Sequence, residues 1–116
     1  MKAMLLDRVG TVETESTPRY LADVSEPAPA DDEVLLRVQT CGVCHTELDE
    51  IEGRAPPARL PIILGHQVVG RVVALGKDVG QWHQNDRVGV AWIFRACGTC
   101  SFCKTGRENP CPQVLA

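Results

Sequence analysis

Short runs of alternating apolar and polar residues, separated by Gly, Pro and acidic residues, dominate the chain. This pattern predicts β-strands at 2–7, 20–25, 33–40, 68–75 and 87–92. One helix is predicted over 47–52, with Thr46 as its N-terminal cap, acidic residues in its first turn and Gly53 at its end. On that helix, Leu48 and Ile51 lie three residues apart and are expected to face inward.

Five or six short strands with one or two short helices predict a mainly β fold, a small and partly open barrel. The proline-containing segment 25–32 is expected to be a stiff surface connection between strands. No G-x-G-x-x-G motif is present, and the nearest phosphate-loop pattern, at 65–70, is followed by Arg71 and Val72 where a P-loop needs Lys and then Ser or Thr. We therefore expect one domain over 1–116, without a nucleotide-binding fold.

The overall charge is nearly balanced. The 116 residues include 12 Lys and Arg against 15 Asp and Glu, a net charge of −3, and no basic block stands out. Nucleic acid is therefore not an expected partner. The longest apolar runs fall well short of the roughly 20 residues that cross a bilayer, so no membrane partner is expected either. Because no secretory signal is visible behind Met1, we expect the chain to be cytoplasmic.

A cluster of cysteines near the end of the chain is the strongest chemical signal. Cys97, Cys100, Cys103 and Cys111 have the spacing C-x2-C-x2-C-x7-C. Two-residue gaps let neighbouring sulfurs converge on one ion, and the longer loop returns the fourth, which suits tetrahedral zinc held by four thiolates. We expect this zinc-binding lobe to span about residues 95–113.

Two alternatives to zinc remain open for these cysteines. A C-x2-C-x2-C run followed by a Cys-Pro pair, here Cys111 and Pro112, also occurs in bacterial ferredoxins, although those have three residues in the last gap and this chain has seven. Two disulfides are the other alternative. In a reducing compartment, closely spaced cysteines more often bind metal than form disulfides, so zinc is the favoured interpretation.

A second group of candidate ligands lies upstream. Cys44 belongs to the stretch Cys41-Gly-Val-Cys-His-Thr-Glu47, and His66 follows about twenty residues later in Gly65-His-Gln67. A thiolate and an imidazole can share a metal ion. Taken singly, such a cysteine can equally be a small buried apolar residue, and such a histidine can be satisfied by a backbone carbonyl. Glycines beside both residues, Gly42 and Gly65, are expected where the backbone turns sharply.

Together these stretches resemble the zinc-dependent alcohol dehydrogenases of the medium-chain dehydrogenase/reductase superfamily. The match is to their N-terminal catalytic domain, called GroES-like, and it covers nearly all of the chain. It rests on the stretches 41–47 and 65–70, on Asn-Asp-Arg-Val-Gly-Val at 85–90, and on the four-cysteine lobe with Gly-Arg-Glu-Asn at 106–109. The fold implied by this resemblance is a GroES-like, partly open β-barrel.

The resemblance also implies a role for each motif. The four-cysteine lobe would hold a structural zinc, and Cys44 and His66 would hold a catalytic zinc. Thr46 matches the position that passes on the alcohol proton, His45 the position that contacts the cofactor pyrophosphate, and Trp92 the aromatic wall of the substrate pocket. Cys41 is not expected to be a ligand. The implied reaction oxidises an alcohol to an aldehyde or ketone by hydride transfer to NAD or NADP.

Three positions near the candidate zinc depart from the family pattern. Gln67 replaces the usual glutamate next to the histidine, so a carboxylate beside the ion becomes a neutral amide. Asp49 stands where many members carry the histidine that completes the proton relay, and an aspartate, with a reference pKa near about 3.9, is a weak base at neutral pH. Glu47 replaces the usual aspartate and keeps its charge.

A larger departure concerns the parts of the family pattern that lie beyond Ala116. The remaining cysteine ligand of the catalytic zinc and the Rossmann domain for NAD or NADP are not in this sequence. Glu47 is the nearest candidate for a third ligand, with water filling the rest. We therefore expect a full structural site beside a weak or empty catalytic site, a chain that is inactive alone, and self-association through uncovered apolar surface. The alternative is a stand-alone zinc-binding scaffold or interaction module derived from the same domain.

Overall fold

The computed structural model describes residues 1–13 and 19–115. Within them lie five strands, one α-helix and a short 3₁₀ turn: β1 (Lys2–Leu6), β2 (Arg19–Asp23), β3 (Val34–Gly42), α1 (His45–Glu52), β4 (Gln67–Leu75), β5 (Arg87–Val90) and the turn Cys103–Thr105. Each predicted strand is present, with ends shifted by at most two residues. The mainly β class predicted from the alternating pattern is confirmed.

The strands form two antiparallel sheets that do not close into one barrel. Strands β1 and β2 pair with Lys2 opposite Asp23, and β3, β4 and β5 form a separate sheet in that order. The β3–β4 pairing shifts register twice, between Leu35 and Leu36 and again between Val38 and Thr40, so the strand bends along its length. Segment 25–32 contains no strand and joins the two sheets.

Few side chains are fully covered in the described part of the chain. The buried apolar residues there are Leu6, Ile51, Val72 and Cys111. A backbone bridge between Leu6 and Ile62 ties β1 to the segment that follows the helix, and Gly10 donates a backbone hydrogen bond to Ile51 at 2.7 Å. The segment leading to β4 therefore pairs directly with β1, and the residues that follow β1 contact α1.

The helix differs from the prediction in two respects. It begins at His45, with Cys44 as its N-cap, so Thr46 lies inside the first turn and does not cap it. Leu48 is 37% exposed, and only Ile51 of the predicted inward pair is buried. The helix ends as predicted, at Gly53, whose φ of 78° is left-handed and favours glycine. No helix in the described ranges is both long and apolar enough to cross a membrane.

Candidate metal centres and substrate cleft

The β3–β4 pairing brings the upstream cysteine and histidine together. Gly42 at the end of β3 lies opposite Gln67 at the start of β4. Cys44 follows β3 by two residues and His66 immediately precedes β4, so the two residues meet at one edge of the sheet. The Cys44 Sγ and His66 Nε2 atoms are 3.2 Å apart. Cys44 and His66, which are 22 residues apart in sequence, are therefore neighbours in the fold.

Cys44 also organises the start of the helix. Its sulfur accepts a hydrogen bond from the backbone N–H of Thr46 at 3.4 Å. Its own N–H donates to Glu47 Oε2 at 2.7 Å, which completes a capping box. Cysteine is not among the usual capping residues, so the sequence pattern placed the helix start too late. The cap fixes the thiol sulfur in the direction of His66.

Glu47 connects the helix to the histidine ring. It is only 6% exposed, and its Oε1 lies 3.0 Å from His66 Nδ1. Among the described residues, Oε1 has no hydrogen bond. The carboxylate thus faces Nδ1, and Nε2 is the ring nitrogen that faces Cys44. A carboxylate on the far ring nitrogen is the common way of orienting a metal-binding histidine.

The ionisation of Glu47 suits that orienting role. Burial raises the pKa of Glu47, but hydrogen bonds from the backbone N–H groups of Cys44 and of Glu47 itself, with the neighbouring His66, outweigh burial. The net pKa of Glu47 is therefore lowered, and the side chain is a carboxylate at neutral pH. A buried carboxylate with one oxygen free of hydrogen bonds is unfavourable, and a positive charge nearby would stabilise it.

The donor set fits a metal ion. One ligand atom each from Cys44, Glu47 and His66 lies within 4.8 Å of the others. Thiolate and imidazole are ligands that zinc prefers. Glu47 already uses one oxygen on the Cys44 N–H and points the other at His66, so its position fits an orienting residue better than a third ligand.

A cleft of about 400 Å³ opens beside these residues. Thr46, His66 and Trp92 line it, with the apolar segments 55–58 and 62–65 forming the opposite wall. The Trp92 ring packs edge-on against the His66 ring, with centroids 4.9 Å apart. The structure therefore brings together Thr46, His66 and Trp92, three of the residues that the sequence singled out, around one apolar space.

His45 and Asp49 do not line this cleft. Asp49 Oδ1 accepts a hydrogen bond from Arg54 Nε at 2.5 Å, and His45 Nε2 lies 3.6 Å from the same oxygen. The His45 side chain is 76% exposed at the first position of α1. Both side chains thus lie on the outer side of the helix, in contact with each other and with Arg54.

Neighbouring side chains approach the backbone closely at Gly42 and Gly65. Gly65 has a left-handed φ of 125°, and a Cβ there would lie 2.7 Å from Cys41 Sγ. Gly42 is the last residue of β3 and is not a turn. The Gln67 side chain crosses it, with Gln67 Oε1 2.6 Å from where a Cβ would be. The expectation of a sharp turn at Gly42 is wrong. Cys41 lies outside the ligand group found in the described chain.

Glu50 was not predicted from the sequence as a site residue. This residue lies one helical turn after Thr46, is half-buried and lines the same cleft. Helical spacing from Thr46 is a signal for its position, but the sequence does not show that segment 55–65 covers that face of the helix.

The cysteine lobe forms a second ligand group. Sulfur atoms of Cys97, Cys100, Cys103 and Cys111 lie within 4.8 Å of one another, and Cys103 Sγ is 3.8 Å from Cys97 Sγ and 3.5 Å from Cys100 Sγ. Tetrahedral bonds of about 2.3 Å to zinc would separate sulfurs by about 3.8 Å. All four are free thiols, separated by far more than the roughly 2.05 Å of a disulfide.

Backbone donors point at these sulfurs. Cys100 N–H donates to Cys97 Sγ at 3.3 Å, and Cys103 N–H donates to Cys100 Sγ at 3.5 Å. Hydrogen bonds from the Thr99 and Cys100 backbone and from the Thr99 hydroxyl lower the pKa of Cys97 to about 6. Burial, with the hydrogen bond to Cys100, raises the pKa of Cys103 to about 12. The thiolate form of Cys97 is thus favoured, whereas ionisation of Cys103 is disfavoured unless a cation binds to the cluster.

Comparisons with known proteins show the family to which the chain belongs. Residues 30–116 match the family model described as the alcohol dehydrogenase GroES-like domain. The chain belongs to this family. It is 42% identical to the probable alcohol dehydrogenase AdhA of Mycobacterium tuberculosis, over 97% of the chain and 34% of that protein. It is 43% identical to an alcohol dehydrogenase of Geobacillus stearothermophilus, over 82% of the chain and 28% of that protein.

Solved structures show the same fold. The chain superposes on the crystal structure of AibC with a TM-score of 0.87 and 33% identity, over 98% of the chain and 30% of that structure. It superposes on an NAD-dependent alcohol dehydrogenase with a TM-score of 0.85 and 29% identity, over 99% of the chain and 32% of that structure. The chain therefore has a GroES-like fold and spans about a third of the length of the relatives it matches.

Proposed function

We propose that this chain is the zinc-binding part of the catalytic domain of an alcohol dehydrogenase. The observation that carries the proposal is the 3.2 Å approach of Cys44 Sγ to His66 Nε2, with Glu47 behind the ring. Similarity to proteins named as alcohol dehydrogenases supports it. The substrate class is then a small alcohol, or the corresponding aldehyde or ketone.

Each residue of the site has a task in that reaction. A zinc ion held by Cys44 and His66 would supply a Lewis acid that lowers the pKa of an alcohol hydroxyl. Thr46 lines the same cleft, and its hydroxyl would relay the alcohol proton: Oγ1 accepts that proton while the threonine gives its own proton onward, finally to solvent. Trp92, packed against His66, holds the carbon chain of the alcohol and excludes water from the reacting end.

His45 suits the binding of a cofactor phosphate. Its exposed side chain stands at the N-terminus of α1, where the helix dipole favours anions. NAD or NADP would be held mainly by a dinucleotide-binding domain outside residues 1–116. Asp49, the proposed end of the proton relay, is held by Arg54 through Oδ1 on the outer side of the helix.

The chain by itself is proposed to be inactive. Cys44 and His66 supply two protein ligands, and a catalytic zinc site uses three. We assign residues 1–116 to one GroES-like domain, with the structural zinc bound by the lobe at about 95–113. The six free thiols are compatible with a reducing compartment, which supports the cytoplasm as the proposed location.

Metal content tests this proposal. We expect one tightly bound zinc per chain in the lobe and a second, weaker zinc at Cys44 and His66, measured by elemental analysis at increasing free zinc. The H66A variant should lose only the weak ion, whereas C111S should lose the tight one. Iron in place of zinc would contradict the assignment, and so would a weak site that is unchanged in H66A.

Activity gives the second test. With NAD or NADP and a series of primary alcohols, the zinc-loaded chain should show no turnover. Joining it to the remaining two thirds of an alcohol dehydrogenase relative should restore oxidation, and the C44S variant of that fusion should abolish it. Turnover by the isolated chain would overturn the expectation of inactivity.

A stand-alone zinc-binding scaffold is the second candidate function. It is favoured by the contrast between the two sites: the lobe has four converging sulfurs, whereas Asp49 is held by Arg54 and Gln67 is packed over Gly42. A reading frame that ends at codon 116 would support the scaffold. A reading frame that continues into a dinucleotide-binding motif would support the dehydrogenase.

A further inference from the structure

Glu50 is an acidic side chain inside the proposed substrate cleft. It lies four residues after Thr46, so the two side chains occupy the same face of α1. That face meets the apolar segments 55–58 and 62–65, which form the cleft wall. Glu50 is half-buried there, whereas Asp49, its neighbour in sequence, points away from the cleft.

This carboxylate has no counter-ion in the described part of the chain. The nearby guanidinium of Arg54 is bound to Asp49 and Glu52 on the outer side of the helix. Among residues 1–13 and 19–115, no Lys, Arg or His forms an ion pair with Glu50. The other ion-paired cations lie elsewhere: Arg8 contacts Asp7, Lys77 contacts Asp31, His83 contacts Asp86 and Arg95 contacts Asp32.

The surroundings disfavour an isolated negative charge. Burial, followed by repulsion from Glu47, raises the pKa of Glu50, and His66 only partly offsets them. A carboxylate loses hydration when a wholly apolar molecule fills the cleft, and no cation among the described residues forms an ion pair with Glu50 to offset that loss. A molecule that carries a positive charge would offset the lost hydration by forming an ion pair with the Glu50 carboxylate.

We propose that Glu50 is a specificity-determining residue that selects alcohols carrying a cationic group, such as amino alcohols, over neutral alcohols of the same size. The inference rests on the proposed function, because it takes this cleft as the alcohol site. The hydroxyl end lies at Thr46 and His66, and the ammonium end pairs with the Glu50 carboxylate. An alcohol bearing a carboxylate is repelled by the same group.

A binding experiment on the zinc-loaded chain tests this selection without requiring turnover. The indole N–H signal of Trp92 in ¹H–¹⁵N spectra is the readout, assigned with W92F. The probes are 4-amino-1-butanol and 1-pentanol, which have nearly the same shape. We expect the amino alcohol to bind roughly threefold to fivefold more tightly at low ionic strength, as for a partly exposed ion pair, and the ratio to fall with added salt.

Matched variants assign the effect to one carboxylate. In E50Q the ratio of the two affinities should fall to about one, because the amide keeps the shape and removes the charge. In E52Q, on the same helix but facing Arg54, the ratio should be unchanged. E50D is a second variant, for use if the amide disturbs the helix. Its affinity ratio should be intermediate, because the shorter side chain keeps the charge but holds it farther from the ligand.

The outcomes separate the two proposals. Equal binding of both probes, or a preference that persists in E50Q, overturns the role of Glu50 and leaves the alcohol site intact. No shift of the Trp92 signal with either probe contradicts the cleft as the alcohol site and, with it, both proposals.

Discussion

At the scale of single residues, the site depends on Glu47. One of its oxygens accepts the Cys44 N–H and the other faces His66 Nδ1. The same carboxylate therefore fixes the start of α1 and the direction of the imidazole, so it positions both proposed zinc ligands. An aspartate would be one methylene shorter, which changes how far α1 must lie from the ring.

Replacing Glu47 tests its positioning role. The E47Q variant keeps the shape but cannot hold the proton on His66 Nδ1 with a full negative charge. We expect zinc affinity at Cys44 and His66 to fall roughly tenfold to a hundredfold, measured by competition with a chromophoric chelator. E52Q is the control, since Glu52 lies on the same helix and pairs with Arg54. Unchanged affinity in E47Q would show that His66 is oriented by other contacts.

The residues of this site were only partly predictable. Cys44, His66, Thr46 and Trp92 could be named from motifs; the structure places the last three around one cleft and Cys44 beside His66. The role of Glu47 depends on which ring nitrogen it faces, and that of Glu50 on a wall more than four residues away in sequence. Both are consequences of tertiary packing, so neither could be read from spacing.

The cysteine lobe offers a pH-dependent prediction at the same scale. Cys97 has a pKa of about 6, below the ordinary value of 9.0, because hydrogen bonds stabilise its thiolate. In the metal-free chain, alkylation of Cys97 by iodoacetamide should therefore rise with pH and be half-maximal near pH 6, while Cys103, with a pKa of about 12, stays unreactive at neutral pH.

Peptide mass mapping after brief labelling measures this order. Zinc-loaded protein is the matched control, because bound thiolates should be protected at every pH tested. The T99A variant removes one donor to Cys97 Sγ and should move the midpoint upward. Equal labelling of all four lobe cysteines would contradict the proposed hydrogen-bond pattern.

At the scale of elements, the strands were more predictable than the helix start. Alternating apolar and polar residues located every strand, because a half-buried strand imposes that pattern directly. The helix begins two residues earlier than predicted because a cysteine sulfur acts as the cap. Leu48 is exposed because the core contact of α1 is made mainly by Ile51, next to Leu6 and the segment around Gly10.

The end of α1 gives a stability prediction. Gly53 adopts φ 78°, and a Cβ there would contact the Val9 side chain at 3.5 Å. The G53A variant should lower the free energy of unfolding by about 1 to 2 kcal/mol, mainly from the left-handed backbone. Urea denaturation measures it. G80A is the control, since Gly80 has open space around its Cα and no left-handed φ. Equal stability of the two variants would count against the helix end described here.

At the scale of the whole molecule, few apolar side chains are buried among the described residues. Large apolar side chains remain exposed on both sheets and near the lobe, including Leu21, Val38 and Phe94, each more than half exposed. Exposed apolar surface of this kind favours contacts between copies of the chain. Sedimentation velocity should therefore show larger species as concentration rises. A single monomeric species at high concentration would contradict self-association.

With so small a core, bound zinc should carry an unusual share of the stability. Binding to the folded state alone stabilises it by about 2.7 kcal/mol at a hundredfold excess over Kd, and for a domain of this size that corresponds to roughly 10 °C in Tm. Removing zinc with a chelator should lower Tm by about that amount or more.

C111S, which removes the buried sulfur of the lobe, should unfold at the same lower temperature with or without chelator. H66A should keep most of the chelator effect, because it leaves the four lobe thiolates in place. If the chelator lowered Tm equally in wild type and C111S, the stabilising ion would have to lie outside the lobe.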